Sequence, residues 1–119
     1  MAFDPASLKY DDKGLIPCIA QDHASGEVLM FAWMNAAAVA QTLESEQVTY
    51  WSRSRGSFWV KGETSGHGQR LVEMRIDCDR DCLLVLVDQL GPACHTNRQS
   101  CFYTALREGT ETEILRPVE

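Results

Sequence analysis

Three aspartates at alternate positions, Asp77, Asp79 and Asp81, are interleaved with Cys78, Arg80 and Cys82 just before the apolar run Leu83 to Val87. If this stretch is extended, successive side chains point to opposite faces. The carboxylates then share one face, and Cys78, Arg80 and Cys82 share the other. Three like charges in a row repel one another unless a cation stands among them. Carboxylate oxygens suit Mg²⁺ and thiolates suit Zn²⁺, so an extended segment predicts a metal site on each face. The competing reading is a solvated acidic turn with a structural cysteine.

Cys94 and Cys101 follow, with His95 beside the first. Their spacing is not the C-x₂-C of a zinc ribbon, so as a local motif the pair is weak. Together with Cys78 it offers three thiolates. Catalytic zinc is usually held by three protein ligands and an open position, where it lowers the pKa of its water to about 7. Cys82 is the candidate fourth ligand that would close the site. His95 is the candidate proton carrier, with support of the fold as its alternative role. Cys18, inside the apolar segment Leu15 to Ala20, reads as a small core residue.

These residues need elements to position them. Leu15 to Gln21 and Glu27 to Trp33 read as two strands joined by the turn Asp22 to Gly26, with His23 solvated in the turn. Asn35 is an N-cap for a helix from Ala36 to about Glu46, with Val39, Ala40 and Leu43 as its buried stripe. Val48 to Arg55 and Phe58 to Lys61 predict a second hairpin. The segment from Gly62 to Gly68 holds three glycines and several hydroxyls, and its backbone N–H groups could approach a phosphate. Arg70 to Ile76 alternates as a strand, and Leu83 to Val87 is apolar enough for a central one. Gln89 to Asn97 is a loop, and Arg98 to Leu106 suits a short helix or a strand. Residues 1 to 13 form a polar lead-in with a helical turn around Ser7 to Tyr10. Residues 107 to 119 form a tail with an edge strand around Ile114 and Leu115.

Length and composition set the frame. With 119 residues and 45% hydrophobic content, the chain predicts one domain over 1–119 with a real core. No signal-peptide pattern opens it, and no apolar run reaches the ~18 residues that span a bilayer. A cytoplasmic protein with no membrane partner is the expectation. The formal charge of −6 argues against nucleic acid as a partner. Arg53, Arg55, Lys61, Arg70 and Arg75 nevertheless make a local basic region that could take a small phosphorylated ligand. Five cysteines without an export signal point to metal binding or catalysis rather than disulfides.

Several stretches in order carry a resemblance: Gln21-Asp22, Val28-Leu29-Met30 and Trp33-Met34-Asn35; Trp51-Ser52-Arg53-Ser54-Arg55; Phe58 to Gly66; Asp77-Cys78-Asp79-Arg80-Asp81; Gly91-Pro92-Ala93-Cys94-His95-Thr96; and Ser100-Cys101-Phe102. Over about residues 14 to 106 the chain resembles the phosphoribosyl-AMP cyclohydrolases of histidine biosynthesis, hydrolases that open the adenine ring of phosphoribosyl-AMP at N1–C6 with zinc-activated water. The resemblance implies an α+β fold, with a compact, mostly antiparallel sheet and a few helices, in an intertwined homodimer with active sites at the subunit interface. It implies Zn²⁺ on Cys78, Cys94 and Cys101, Cys78 coming from the other subunit, and Mg²⁺ on Asp77, Asp79 and Asp81. His95 is then the proton carrier, with His67 second. Trp51, Arg53, Arg55, Lys61, Glu63, Thr64 and Ser65 are the substrate-binding candidates.

Two positions depart from the family pattern. Asn97 stands where glycine is usual, and asparagine is the non-glycine residue best able to hold a positive φ. Cys82 replaces a small residue, which lowers its standing as a ligand. The pyrophosphohydrolase domain sometimes fused to the family is expected to be absent. Two other functions use parts of the same residues. A non-catalytic zinc or nucleotide module would stack bases on Trp51 and Trp59. A Mg²⁺-dependent phosphohydrolase would need the aspartates alone.

Overall fold

A computed structural model describes residues 2–118. Alternation of Ile16, Cys18 and Ala20 builds β1 (Ile16–Asp22), which pairs antiparallel with β2 (Val28–Met34). Asn35 then caps α1 (Ala36–Ser45), its side-chain oxygen accepting from the Ala38 N–H at 2.8 Å. The helix stops at Glu46, which takes the left-handed conformation at φ 62°. Next come the hairpin of β3 (Thr49–Ser52) and β4 (Ser57–Val60), then the hairpin of β5 (Gln69–Ile76) and β6 (Leu83–Gln89). A separate small hairpin joins β7 (Thr104–Arg107) to β8 (Thr110–Glu113).

The main sheet runs β4-β3-β2-β1-β6-β5, and β1 with β6 is its parallel pair among the described residues. The sheet curls until its β5 edge meets the chain just before β3. Val48 N–H donates to the Gln69 carbonyl at 3.0 Å, and Leu71 N–H to that of Glu46 at 2.8 Å. Paired strands put directly opposed residues on the same face. The inner face carries Ile16, Cys18, Met30, Met34, Tyr50, Leu83, Val85 and Val87, all buried, with α1 and Leu8 packed over them. The outer face carries Phe58, Trp51, Trp33 and Pro17 in one register row and Phe31, Ile19 and Leu84 in another.

The predicted strands and hairpins up to residue 89 are present, and the class is α+β with a mostly antiparallel sheet. Four expectations change. In place of a few helices the described residues form one α-helix and a single 3-10 turn, at Pro5–Ser7 rather than Ser7 to Tyr10. The helix buries Ala38, Val39 and Thr42, not Ala40 and Leu43. Its rotation follows Thr42, whose hydroxyl donates to the Thr49 carbonyl at 3.2 Å and accepts the Thr49 N–H at 3.0 Å. Of the short helix or strand expected over Arg98 to Leu106 the chain forms the strand, β7, but the tail strand is Thr110–Glu113, ending before Ile114. It pairs with β7 through a turn at Glu108 and Gly109, both at positive φ, so it is no edge of the main sheet. The acidic triplet, finally, does not extend the strand.

Candidate active site

β5 ends at Ile76, and residues 77–82 turn back into β6. The carboxylate of Asp77 makes the turn: its Oδ1 accepts from the N–H of Asp81 at 2.9 Å and of Cys82 at 3.1 Å. Arg80 adopts φ 63°, and the lead-in anchors the turn through Ser7 Oγ, which accepts from the Arg80 guanidinium at 2.8 Å. The two-face argument therefore fails, because it requires extended backbone. The turn instead gathers Asp77, Asp79 and Asp81, all exposed, with one oxygen of each within 4.8 Å of the others.

Desolvation pushes the Asp77 carboxyl up, but hydrogen bonds from Asp81, Cys82 and Arg80 outweigh it and hold it below the ordinary carboxylate range. Asp81 is raised, first by its hydrogen bond with Asp77, then by desolvation and the charges of Asp77 and Asp79. This unrelieved repulsion is what a hard cation removes. Mg²⁺ prefers hard carboxylate oxygens of this kind. The donor set fits the ion.

Cys94 and Cys101 meet through the chain fold between them. Asn97, at the expected positive φ of 66°, and its N–H bond to the Cys94 carbonyl at 2.9 Å close a tight turn. Ser100 Oγ donates to the Val28 carbonyl at 2.7 Å, and the Cys101 N–H to that of Leu29 at 2.7 Å, pinning the far end to β2. Burial raises the Cys94 thiol. Hydrogen bonds from Thr96 and Cys101 and the charge of Arg98 reverse this, leaving it below its ordinary value. The Thr96 hydroxyl lies 3.0 Å from Cys94 Sγ. Burial, and then the negative charge of Cys94, push Cys101 up to about 11. Two adjacent thiols, one favoured as thiolate and the other held back by its neighbour's charge, are the donors that a soft divalent cation stabilises. They fit zinc, with positions left for further ligands.

Lys61 joins this pair. Its ammonium donates to the Ala93 carbonyl at 2.7 Å, and burial lowers its pKa against the opposing pull of Cys101 and Cys94. Cys78 does not join it. That thiol is exposed on the acidic turn, 3.8 Å from an Asp79 oxygen, and among the described residues the acidic trio is the one group of three or more metal-ligating side chains. Cys82 points its thiol at the Leu83 carbonyl at 3.8 Å and stays out of both clusters, while Cys18 is fully buried in the core.

The remaining predicted residues separate into groups. His67 is half-buried against Gly91, in the loop that leads to Cys94, whereas His95 is exposed. Glu63, Thr64 and Ser65 are exposed in the loop after β4, where Ser65 Oγ accepts the His67 N–H at 3.1 Å. A cleft of about 450 Å³ lies beside this loop, lined by Lys61, Gly62, Glu63, Gly66, Arg70 and Asp88. Arg53 and Arg55 sit at the tip of the β3–β4 hairpin, at the other end of β4 from Lys61, with the Arg53 guanidinium 4.8 Å above the Trp33 ring. Trp51 packs edge-on against Phe58 at 5.1 Å. Arg70 pairs with Asp88 and Arg75 with Glu73.

Sequence reasoning missed a buried polar chain behind the site. Tyr50 donates to Gln69 Oε1 at 2.7 Å, Gln69 to Gln89 Oε1 at 2.9 Å, and Gln89 to the His67 carbonyl at 3.2 Å. Two glutamines at the ends of strands, Gln69 opening β5 and Gln89 closing β6, are the signal that could have exposed it. Thr96, two residues beyond Cys94 in a tight turn, was visible as a motif residue without its role.

Residues 30–103 match the family model described as phosphoribosyl-AMP cyclohydrolase. A protein of Cereibacter sphaeroides bearing that name is 76% identical over 118 residues, covering 99% of both chains. A second, from Paracoccus denitrificans, is 76% identical over 115 residues, 97% of this chain and 95% of its own. A third, from a Ruegeria species, is 68% identical over 116 residues, 98% and 90% of the two chains.

Proposed function

This chain belongs to the phosphoribosyl-AMP cyclohydrolase family, and from that membership we propose that it opens the adenine ring of 1-(5-phosphoribosyl)-AMP in histidine biosynthesis. One water is consumed and the N1–C6 bond breaks. The water oxygen remains on C6 as the carboxamide oxygen. Of its two protons, one ends on the exocyclic nitrogen and the other on N1, which leaves as part of a formamidine. Ribosylation at N1 makes the ring easy to protonate, so C6 is already electrophilic. The protein must supply a nucleophile, a position and a proton path.

The observation that supports this most is the Cys94–Cys101 pair, with Thr96 at 3.0 Å from Cys94 and Lys61 beside it. Zinc bound there supplies a Lewis acid that makes its water nucleophilic near neutral pH. Cys94 and Cys101 hold it in one subunit, and Cys78 of the partner subunit completes the set. The positive charge of Lys61 favours both thiols as thiolates. His95, exposed beside Cys94, carries the proton to N1, and His67 across the Gly91 loop is the second proton-carrying group. Asp77, Asp79 and Asp81 hold Mg²⁺, whose charge offsets the phosphates. Arg53 and Arg55 bind phosphate at the hairpin tip, and Glu63, Thr64 and Ser65 contact the ribose and phosphate from the loop beside the cleft. Trp51 lines the purine side.

The same layout supports a homodimer. Cys78 lies apart from the other two thiols within one chain, so a shared zinc needs a second copy. The outer sheet face offers an apolar surface for it. Phe31 and Phe58 are 46% and 48% exposed there, and the Trp33 indole N–H is buried without a hydrogen-bond partner. Among the described residues no helix is long and apolar enough to cross a membrane.

The test is to give zinc-replete protein phosphoribosyl-AMP and follow the gain of one water by mass spectrometry, with chelated protein as control. Zinc-dependent ring opening is expected. No product from folded, zinc-loaded protein would overturn the assignment in favour of a binding module.

A further inference from the structure

The segment from Cys94 to Cys101 has no helix or strand of its own. Its Cys101 end is fixed to β2, and its middle leans on residues far along the chain. The Asn97 carbonyl accepts the Val118 N–H at 2.7 Å, and the Asn97 amide donates back to the Val118 carbonyl. Arg98 is held more tightly still. Its Nε donates to Glu113 Oε1 at 3.1 Å and to the Leu115 carbonyl at 3.0 Å, and its Nη2 also bonds Glu113. The guanidinium lies 4.0 Å over the Tyr103 ring. Tyr103 is itself tied to the tail, its carbonyl accepting the Ile114 N–H at 2.8 Å. The Arg98 side chain is 15% exposed, which is unusual for an arginine in a polar loop.

All of these tail partners lie beyond residue 103, where the family match ends. They grip two consecutive residues, Asn97 and Arg98, midway between the two thiols. An arginine enclosed by a carboxylate, a carbonyl and an aromatic face has little freedom, and neither has the backbone that carries it. We propose that β7, β8 and residues 114–118 form a brace that sets the Cys94–Cys101 spacing for zinc, with Arg98 as the positioning residue through which it acts. This rests on the zinc reading above. The brace works because backbone pairing, the ion pair to Glu113 and stacking on Tyr103 all constrain the same turn.

The test measures zinc affinity by competition with a chromogenic chelator, and the ligand-field spectrum of the cobalt-substituted protein. If the full-length protein binds no zinc, the zinc reading fails and the brace with it. If it binds, a chain ended at Gly109 should bind zinc about 10–100-fold more weakly and show a shifted cobalt spectrum. That chain keeps the Arg98 charge and the Tyr103 ring but loses Glu113 and Leu115, so the loss reports position rather than charge. Full-length Glu113→Ala should weaken zinc by a few-fold in the same direction, and it decides the matter if the shortened chain does not fold. Leu106→Ser, at a residue 78% exposed on the same hairpin, should change neither readout. Wild-type affinity and an unshifted cobalt spectrum in the folded shortened chain, or in Glu113→Ala, would overturn the brace.

Discussion

A Cβ at Gly91 would stand 2.6 Å from Cδ2 of His67, so the loop that leads to Cys94 is shaped around the imidazole. Gly91 also sits at φ +74°, in the region that disfavours side chains. Two independent reasons therefore require glycine there. The contact ties the glycine-rich loop after β4 to the loop carrying one of the proposed zinc ligands.

Gly91→Ala is expected to destabilise the protein by about 1–3 kcal/mol through strained backbone and the clash with His67. Combining it with His67→Ala should recover the steric part and leave the backbone part. Urea unfolding of the single and double variants measures both. Equal stability of the two would show that the ring does not constrain the loop.

Tyr50→Phe leaves Gln69 Oε1, buried beneath the sheet, without its donor at 2.7 Å. A loss of about 1–3 kcal/mol is expected. Adding Gln69→Leu removes the orphaned acceptor, so the double variant should lose less than the sum of the singles in a double-mutant cycle. Strict additivity would mean the chain of hydrogen bonds does not act as a unit.

The aspartates of the turn divide by role. Asp77 accepts two backbone N–H groups, so Asp77→Ala should cost about 1–2 kcal/mol of stability as well as cation binding. Asp79 accepts no backbone N–H in the turn, and Asp79→Asn should weaken Mg²⁺ binding while leaving thermal unfolding in chelator unchanged. Calorimetric titration alongside melting curves separates the two. Undiminished Mg²⁺ binding in both variants would rule out the trio as the ion's site.

Hybrid dimers test the shared zinc. Cys78→Ser subunits and Cys101→Ser subunits should each be inactive alone. Unfolded and refolded together they should regain activity, because each hybrid carries one intact site and one doubly broken site. A mixture that stays dead, with hybrid formation shown by native mass spectrometry, would place all three thiols in one chain, and an active Cys78→Ser protein would dispense with Cys78.

Much of the fold was legible because it follows from local rules. The turn Asp22 to Gly26 marked the hairpin of β1 and β2, alternation marked β5, an apolar run marked β6, and Asn35 marked the start of the helix, as Ala38 N–H at 2.8 Å from its side chain bears out. Asn97 signalled a positive φ from its residue type alone. The helix stripe was misread because Thr42 counts as polar in a pattern, yet pairing with both backbone groups of Thr49 lets it be buried. The tail strand was placed too late, because the turn at Glu108 and Gly109, rather than the apolar Ile114 and Leu115, sets where pairing begins.

The site shows the division most clearly. Residue types alone set which ion each group would prefer, a hard cation for the aspartates and a soft one for the cysteines, since that preference resides in oxygen and sulfur whatever the backbone does. Only the tertiary structure decided how they are grouped. Period-two alternation presumes an extended chain, and the Asp77 carboxylate, by capturing the N–H groups of Asp81 and Cys82, bends it into a turn that collects the carboxylates. Lys61 came to the thiols because β4 ends beside Ala93, and Glu113 came to Arg98 because the last hairpin folds back across the loop. Neither pairing has a local signal, since each joins residues whose separation along the chain is closed by packing.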